Sequence, residues 1–124
     1  MKLWEKVGLP TYSLSDTIPE LERFLRRNPE TSLGGWLDGK MAATVLGGFD
    51  GRRGLVHHLA VAPDLQRRGI GRRMMEELEA RFKAMDVVKF NFWVEADNQA
   101  ALAFYRRLSY EVRDLVTISR TLRR

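Results

Sequence analysis

Two glycines and a group of arginines follow a mostly apolar stretch in the middle of the chain. That stretch covers residues 55–62 and ends at Pro63, and an amphipathic run begins at Ile70, between Gly69 and Gly71. A glycine-containing turn between a strand and a helix gathers unpaired backbone N–H groups at the positive end of the helix dipole. Such a turn binds phosphate or pyrophosphate, and glycines let the ligand approach the backbone. We therefore expect an anion-binding loop here.

Side chains of the same loop add hydrogen-bond donors and positive charge. They belong to Gln66, Arg67, Arg68 and Arg72. The loop is not a Walker loop, because the Gly-Lys-Ser/Thr ending is missing. It is not the dinucleotide fingerprint either, because the third glycine would fall at Met74. A glycine pair before a helix suits a plain turn equally well, so the ligand has to be assigned from a second motif.

A second motif lies in residues 97–110, which include Asn98, Ala101 and Tyr105 at spacings of three and four. This segment resembles the pattern N-x-x-A-x-x-x-Y-x-x-x-G-F/Y of the GNAT superfamily of N-acetyltransferases. The string at 66–71, Gln-Arg-Arg-Gly-Ile-Gly, is similar to the Q/R-x-x-G-x-G/A pyrophosphate loop of the same superfamily. The resemblance covers the chain from about residue 30 to its end, and more weakly the first two helices.

The resemblance implies that acetyl-CoA binds as a co-substrate and that no metal is needed. The backbone of Leu59, Ala60 and Val61 would hydrogen-bond the pantetheine arm, where this strand splays from the strand at 87–94. Asn98 matches a residue that contacts the coenzyme arm. The residues that would wrap the pyrophosphate are Gln66, Arg67, Arg68, Gly69, Ile70, Gly71 and Arg72.

The resemblance also implies that a primary amine attacks the thioester directly, in a ternary complex without a covalent enzyme intermediate. Tyr105 matches the tyrosine that protonates the departing CoA thiolate, a role that suits a phenol. Three residues are candidates for the general base: Glu95, the carboxylate nearest to the coenzyme motifs, and His57 and His58, whose side chains titrate in a suitable range. The two-residue period of a strand predicts opposite faces for the two histidines.

The chain departs from the family pattern at two places. Ser109 stands where glycine is usual after the second-motif helix, and a non-glycine residue in a left-handed cap costs about 1 kcal/mol. The chain also begins inside what resembles the first helix, so we expect the first strand of the family to be absent. The strand at 31–37 would then be an exposed edge, and it carries Trp36 but no charge or proline. Because such an edge invites pairing with another chain, we predict a homodimer or larger homo-oligomer.

The elements that must position these residues follow from hydrophobic periodicity and turn signals. In the N-terminal half we expect a helical piece within residues 1–12, a helix that begins after Thr17 and stops at Asn28–Pro29, and strands over 31–37, 40–49 and 55–62. In the C-terminal half we expect a helix over 70–85, a strand over 87–94, a helix over 98–108, and short strands near 110–113 and 115–121. This order predicts a mixed α/β (α+β) fold, with a GNAT-like and mostly antiparallel central sheet flanked by helices.

Composition bounds the class of protein. The chain has 124 residues, 44% hydrophobic and 30% charged, which suits one globular domain over residues 1–124. No apolar run approaches the roughly 20 residues that span a bilayer, and the segment up to Pro10 contains Glu5 and no long apolar run, so we expect neither a membrane partner nor a secretory signal. The absence of cysteine excludes disulfides and thiolate chemistry and suits a cytoplasmic protein.

The net charge of +5 favours an anionic partner and keeps two alternatives open. One is a basic nucleic-acid-binding module that uses Arg67, Arg68, Arg72 and Arg73, although no recognition motif accompanies them and we do not expect it. The other is a non-catalytic acyl-CoA-binding protein that keeps the coenzyme site and lacks a base. The sequence leaves the identity of the amine acceptor open, whether small molecule or protein.

Overall fold

The computed structural model describes residues 17–122. The elements in this part of the chain are α1 (Ile18–Arg27), β1 (Ser32–Leu37), β2 (Lys40–Phe49), β3 (Gly54–Val61), a short 3-10 helix (Pro63–Leu65), α2 (Ile70–Ala84), β4 (Phe90–Asn91) and α3 (Gln99–Arg107). The helical piece expected within residues 1–12 lies outside the described residues. The chain packs as two compact units, one up to Phe92 and one from Trp93 onward, and each is described by itself.

The first unit is built on one sheet with the strand order β1-β2-β3-β4. The pairs β1–β2 and β2–β3 are antiparallel, and β4 lies parallel to β3. The predicted mixed and mostly antiparallel sheet is therefore confirmed. Within the described residues β1 is an edge strand, and Trp36 near its end is 65% exposed.

Helices α1 and α2 cover opposite faces of this sheet. A Cβ added at Gly47 would meet the Leu78 side chain of α2 at 2.8 Å, and one added at Gly48 would meet the Phe24 ring of α1 at 3.1 Å. Because successive strand residues point to opposite faces, the two helices must lie on either side of β2. This explains why residues 42–48 of β2 are buried without interruption.

Two buried polar residues fasten the end of α1 to the sheet. The Asn28 side-chain oxygen accepts a hydrogen bond from the Phe49 backbone N–H at 3.1 Å, and its amide nitrogen donates to the Phe24 carbonyl at 3.2 Å. The Thr31 hydroxyl donates to the Gly47 carbonyl at 2.6 Å. These bonds satisfy polar groups that would be expensive to bury unpaired, and they fix where α1 meets β2.

Three strands that the sequence predicted in the C-terminal half of the chain are shortened or not formed, so this part of the prediction is wrong. The strand expected over 87–94 is reduced to Phe90 and Asn91, and the strands expected near 110–113 and 115–121 are not formed within the described residues. Val88 is 94% exposed, and residues 111–122 are exposed throughout. An alternating apolar pattern becomes a strand only where a neighbouring strand accepts its hydrogen bonds, and these segments have no such neighbour in the described sheet.

Between residues 17 and 122, no helix is both long enough and apolar enough to cross a membrane.

Candidate coenzyme site

An irregularity in β3 lies at the two histidines. Thr44 pairs with Ala60 and Leu46 pairs with His57, so β3 has one residue more than β2 between these two pairs. The extra residue makes a β-bulge, and His58 within it has a φ of +51°. The other non-glycine residues with positive φ in the described chain, Asp38, Arg67, Asp86 and Ser109, all lie outside the strands. No residue type in β3 signals this bulge in advance.

The bulge changes which residues of β3 share a face. Opposed residues of an antiparallel pair share a face, and Thr44 and Leu46 are on the same side of β2, so His57 and Ala60 are also on one face. That face is covered by α1, where the rings of Phe24 and His57 meet edge-on at 6.0 Å. The two-residue period of β3 is therefore interrupted between His57 and Ala60, and the opposite faces predicted for His57 and His58 stay a prediction.

Strand β3 extends well beyond its pairing with β4. The β3–β4 ladder joins Gly54 to Phe90 and Leu55 to Asn91, and it ends there, while β3 continues to Val61. The two strands are therefore paired only at the beginning of β3.

Backbone direction distinguishes the three residues expected to bind the coenzyme arm. The Ala62 N–H donates to the Ala42 carbonyl at 2.8 Å, so residue 62 faces β2. Because backbone polar groups alternate in direction along the regular part of β3 after the bulge, those of Ala60 also face β2, and the Leu59 carbonyl and both polar groups of Val61 point away from it. Leu59 and Val61 can thus offer backbone groups to a ligand, whereas Ala60 is committed to the sheet.

The loop after β3 has the backbone geometry of an anion site. Arg67 has a φ of +65° and Gly69 a φ of +80°, so two left-handed residues flank Arg68. Such turns make successive N–H groups converge on one point. Gly69 is also the N-cap of α2, and neither a capping side chain nor an acidic residue occupies the first turn of this helix. The first N–H groups of α2 can therefore bind an anion.

Two of the four predicted side-chain donors already have partners. Arg72 donates to the Glu76 carboxylate at 3.0 Å, with the two side chains 68% and 61% exposed. The Gln66 amide donates to the Val61 carbonyl at 3.0 Å, so it braces the loop. Arg67 and Arg68 are exposed. Beside the loop is a shallow depression of about 330 Å³, lined by Gly69, Arg72, Arg73, Glu76 and Glu77.

Asn98 begins α3 in the second unit. Its side-chain oxygen accepts a hydrogen bond from the Ala101 N–H at 3.1 Å and caps the helix. Its own N–H donates to the carbonyl of Glu95 at 2.9 Å, and the Glu95 residue is exposed. The cap uses the oxygen of Asn98, so the amide nitrogen is the group that could donate to a ligand.

Tyr105 is held near the end of α3 by a well-formed helix terminus. The Tyr110 N–H donates to the Tyr105 carbonyl at 3.0 Å, and the Ser109 N–H donates to the Arg106 carbonyl at 2.9 Å. This is the hydrogen-bond pattern of a Schellman motif, and Ser109 has the φ of +68° that glycine would usually adopt there. The replacement of glycine by Ser109 therefore keeps the left-handed cap.

The Tyr105 side chain is buried, with 8% of its surface exposed. The rings of Phe104 and Tyr110 lie edge-on to it at 5.0 and 5.8 Å. Burial disfavours the charged phenolate and raises the pKa of Tyr105 to about 12. The phenol is consequently a protonated hydrogen-bond donor at neutral pH.

No group of three or more His, Asp or Glu side chains between residues 17 and 122 is arranged to hold a metal ion.

Comparison with known proteins agrees with this architecture. The model of the acetyltransferase (GNAT) family matches residues 2–110. The chain belongs to this family. An acetyltransferase from Pectobacterium atrosepticum is 33% identical over 120 residues, which cover 97% of this chain and 84% of the relative.

Two solved structures share the fold at low sequence identity. Ard1 from Thermoplasma volcanium superposes with a TM-score of 0.80 at 17% identity, over 91% of this chain and 74% of that one. The PaiA N-acetyltransferase from Thermoplasma acidophilum, solved in complex with coenzyme A, has a TM-score of 0.77 at 17% identity, over 91% of this chain and 78% of that one.

The raised pKa of Tyr105 predicts a loss of stability at alkaline pH. In the unfolded chain the phenol ionises near pH 10, whereas in the folded chain it stays neutral up to about pH 12. The stabilisation is therefore complete below pH 10 and is lost as the pH rises to 12. Urea denaturation should show wild type losing about 2–3 kcal/mol relative to Tyr105→Phe over this interval. Parallel pH dependences of the two proteins would contradict the buried phenol.

Proposed function

We propose that this protein is an acetyl-CoA-dependent N-acetyltransferase, which transfers the acetyl group to a primary amine in a ternary complex. The observation that carries the proposal is the course of β3, which leaves β4 after Leu55 and leads into a loop with left-handed residues at the uncapped start of α2. One strand edge and one anion site are thus consecutive in the chain. The coenzyme A complex of the Thermoplasma acidophilum relative supports this choice of ligand.

Coenzyme binding divides between these two segments. The backbone groups of Leu59 and Val61 that point away from β2 suit the amides of the pantetheine arm. The N–H groups of the loop and of the first turn of α2 suit the pyrophosphate, with added positive charge from Arg67 and Arg68. Asn98 would donate to the arm through its amide nitrogen.

The reaction is addition of the amine to the thioester followed by elimination. The amine nitrogen forms a bond to the acetyl carbon, the carbon–sulfur bond breaks, and its electron pair leaves with the sulfur of CoA. A base takes the proton that the amine must lose. Tyr105 would donate a hydrogen bond to the developing thiolate. A phenol with a pKa of about 12 is a weaker acid than an ordinary thiol, so stabilisation by this hydrogen bond is favoured over complete proton transfer.

The base would be one of the three candidates, and the backbone ranks them. His58 has a φ of +51° inside a strand, a conformation that costs about 1–3 kcal/mol and is concentrated at active sites. His57 packs against Phe24 on the α1 face, and Glu95 is exposed in the second unit. We therefore place His58 first. No observation favours the alternatives of a nucleic-acid-binding module or a non-catalytic acyl-CoA-binding protein.

Acetyl-CoA binding is tested at Gly71. Gly71→Asp places a negative charge in the first turn of α2, where the pyrophosphate would lie, and should weaken acetyl-CoA binding by roughly 100-fold in calorimetry. The melting temperature of wild type should rise with coenzyme concentration, and that of the variant should not. Gly51→Asp is the control, because it adds the same charge in the β2–β3 turn, before the start of β3. Unchanged affinity in Gly71→Asp would overturn the assignment of the loop.

The role of Tyr105 is tested in kinetics. Tyr105→Phe removes only the hydroxyl and should lower kcat by roughly 100-fold while acetyl-CoA affinity stays nearly constant, because only the transition state loses a hydrogen bond. Wild-type kcat in this variant would show that the phenol is structural.

The base is tested in the pH profile of the same reaction. The base must be deprotonated to act, so its removal should abolish the inflection on the acidic side of kcat/KM. His58→Asn should do so, because asparagine tolerates a positive φ and keeps the bulge. His57→Ala and Glu95→Gln are the matched comparisons. If the acidic inflection is lost only in His57→Ala or only in Glu95→Gln, the residue replaced in that variant is the base instead of His58.

We also propose that β1 pairs with a second copy of the chain. Within the described residues β1 is an edge strand that presents exposed Trp36 and Leu37. Light scattering at micromolar concentration should give a mass above the 14.3 kDa of one chain, and Trp36→Lys should lower it. Ile18→Lys, at an exposed position on α1, should leave it unchanged. A particle of 14.3 kDa at every concentration would contradict the oligomer.

A further inference from the structure

The side chain of Gln66 connects the two segments that the coenzyme would contact. Its amide nitrogen donates to the carbonyl of Val61, the last residue of β3, at 3.0 Å. Gln66 itself is extended, with φ −67° and ψ 158°, and the next residue, Arg67, starts the left-handed part of the loop. The hydrogen bond therefore joins the end of the strand to the entrance of the anion site.

The accepting carbonyl lies on a particular side of β3. Residue 62 faces β2, as its hydrogen bond to Ala42 shows, so the Val61 carbonyl points away from β2. This is the side on which β3 has parted from β4. The Gln66 amide thus donates its hydrogen bond to the last carbonyl of β3 on the edge along which the pantetheine arm would lie.

The turn between the strand and the loop is short and closed locally. The Leu65 N–H donates to the Ala62 carbonyl at 2.9 Å, which closes the 3-10 turn at Pro63–Leu65. The bond from Gln66 to Val61 spans five residues and ties the far side of this turn back to β3. Without it, the loop could tilt about the turn while the strand and the helix keep their own hydrogen bonds.

We infer that Gln66 is a positioning residue, which sets the distance between the exposed edge of β3 and the pyrophosphate loop without itself binding the phosphates. The inference rests on the proposed function. A ligand that contacts only the loop is indifferent to this distance, whereas coenzyme A, which must contact strand and loop together, depends on it. With the Val61 carbonyl engaged by Gln66, the Val61 N–H and the Leu59 carbonyl are the backbone groups left for the arm.

The test compares coenzyme A with ADP, which has the pyrophosphate but lacks the arm. Both dissociation constants are measured by calorimetry for wild type, Gln66→Met and Gln66→Arg. Methionine keeps the length of the side chain and removes the donor, whereas arginine keeps an N–H donor. Because both ligands carry the pyrophosphate that would lie at this loop, a charge added there acts on both, and the ratio of the two constants is the quantity that reports on spacing.

Gln66→Met should weaken coenzyme A by about fivefold, the loss expected for one hydrogen bond, and leave ADP nearly unchanged. Gln66→Arg should restore the wild-type ratio. Arg68→Met is the control for a lost loop donor, and it should weaken both ligands by a similar factor.

Equal weakening of coenzyme A and ADP in Gln66→Met would show that Gln66 binds the phosphates or only stabilises the loop, and it would overturn the inference. Unchanged affinities for both ligands would overturn it as well. Failure of the proposed function has a different signature, since wild type would then bind neither ligand.

Discussion

The pairing of β2 with β3 is the constraint on which the site depends. Strand β3 has β4 beside it only at Gly54 and Leu55, and from there to Val61 its extended backbone is maintained by β2 on the other side. Strand β2 can do this because helices cover both of its faces and bury residues 42–48. An isolated strand edge would not remain extended, so a buried central neighbour is the condition for presenting β3 to a ligand.

Close packing of the helices on β2 gives this scaffold its rigidity. A Cβ at Gly47 would lie 2.6 Å from the Thr31 carbonyl, so glycine is required there for the segment before β1 to approach the sheet. In α2, the side chains of Leu78 and Phe82 are at most 2% exposed. The N-terminus of α2 is consequently fixed relative to the end of β3, which is what a site made of backbone N–H groups needs.

Backbone geometry is the well-defined part of the candidate anion site, whereas its arginines are exposed. The ion pair of Arg72 and Glu76 is largely exposed, and exposed pairs contribute little to stability because solvent and salt screen them. The left-handed residues Arg67 and Gly69, by contrast, make neighbouring backbone N–H groups converge on one point. These groups already have this orientation before a ligand binds. A net charge of +5 acts at longer range, and it favours the approach of anionic ligands in general.

The amino-acid sequence by itself determined the local elements and the motif. Apolar periodicity placed α2 and α3 to within one residue at their ends, because a helix is made from contacts three and four residues apart. Glycine and aspartate placed the β1–β2 turn for the same local reason. The strings at 66–71 and 97–110 then predicted the family correctly.

Only the tertiary structure decided the features that depend on a neighbouring strand or on burial. The shortness of β4 and the loss of strands after Tyr110 follow from which backbone groups find partners. The bulge at His58 follows from its register against β2, and the Tyr105 pKa of about 12 follows from burial. The bond from Gln66 to Val61 joins residues only five apart, yet it exists because β3 parts from β4 and exposes that carbonyl. The residue type alone does not predict such pairings. The same side chain can contact a ligand or hydrogen-bond to the backbone, and the fold decides which partner lies within reach.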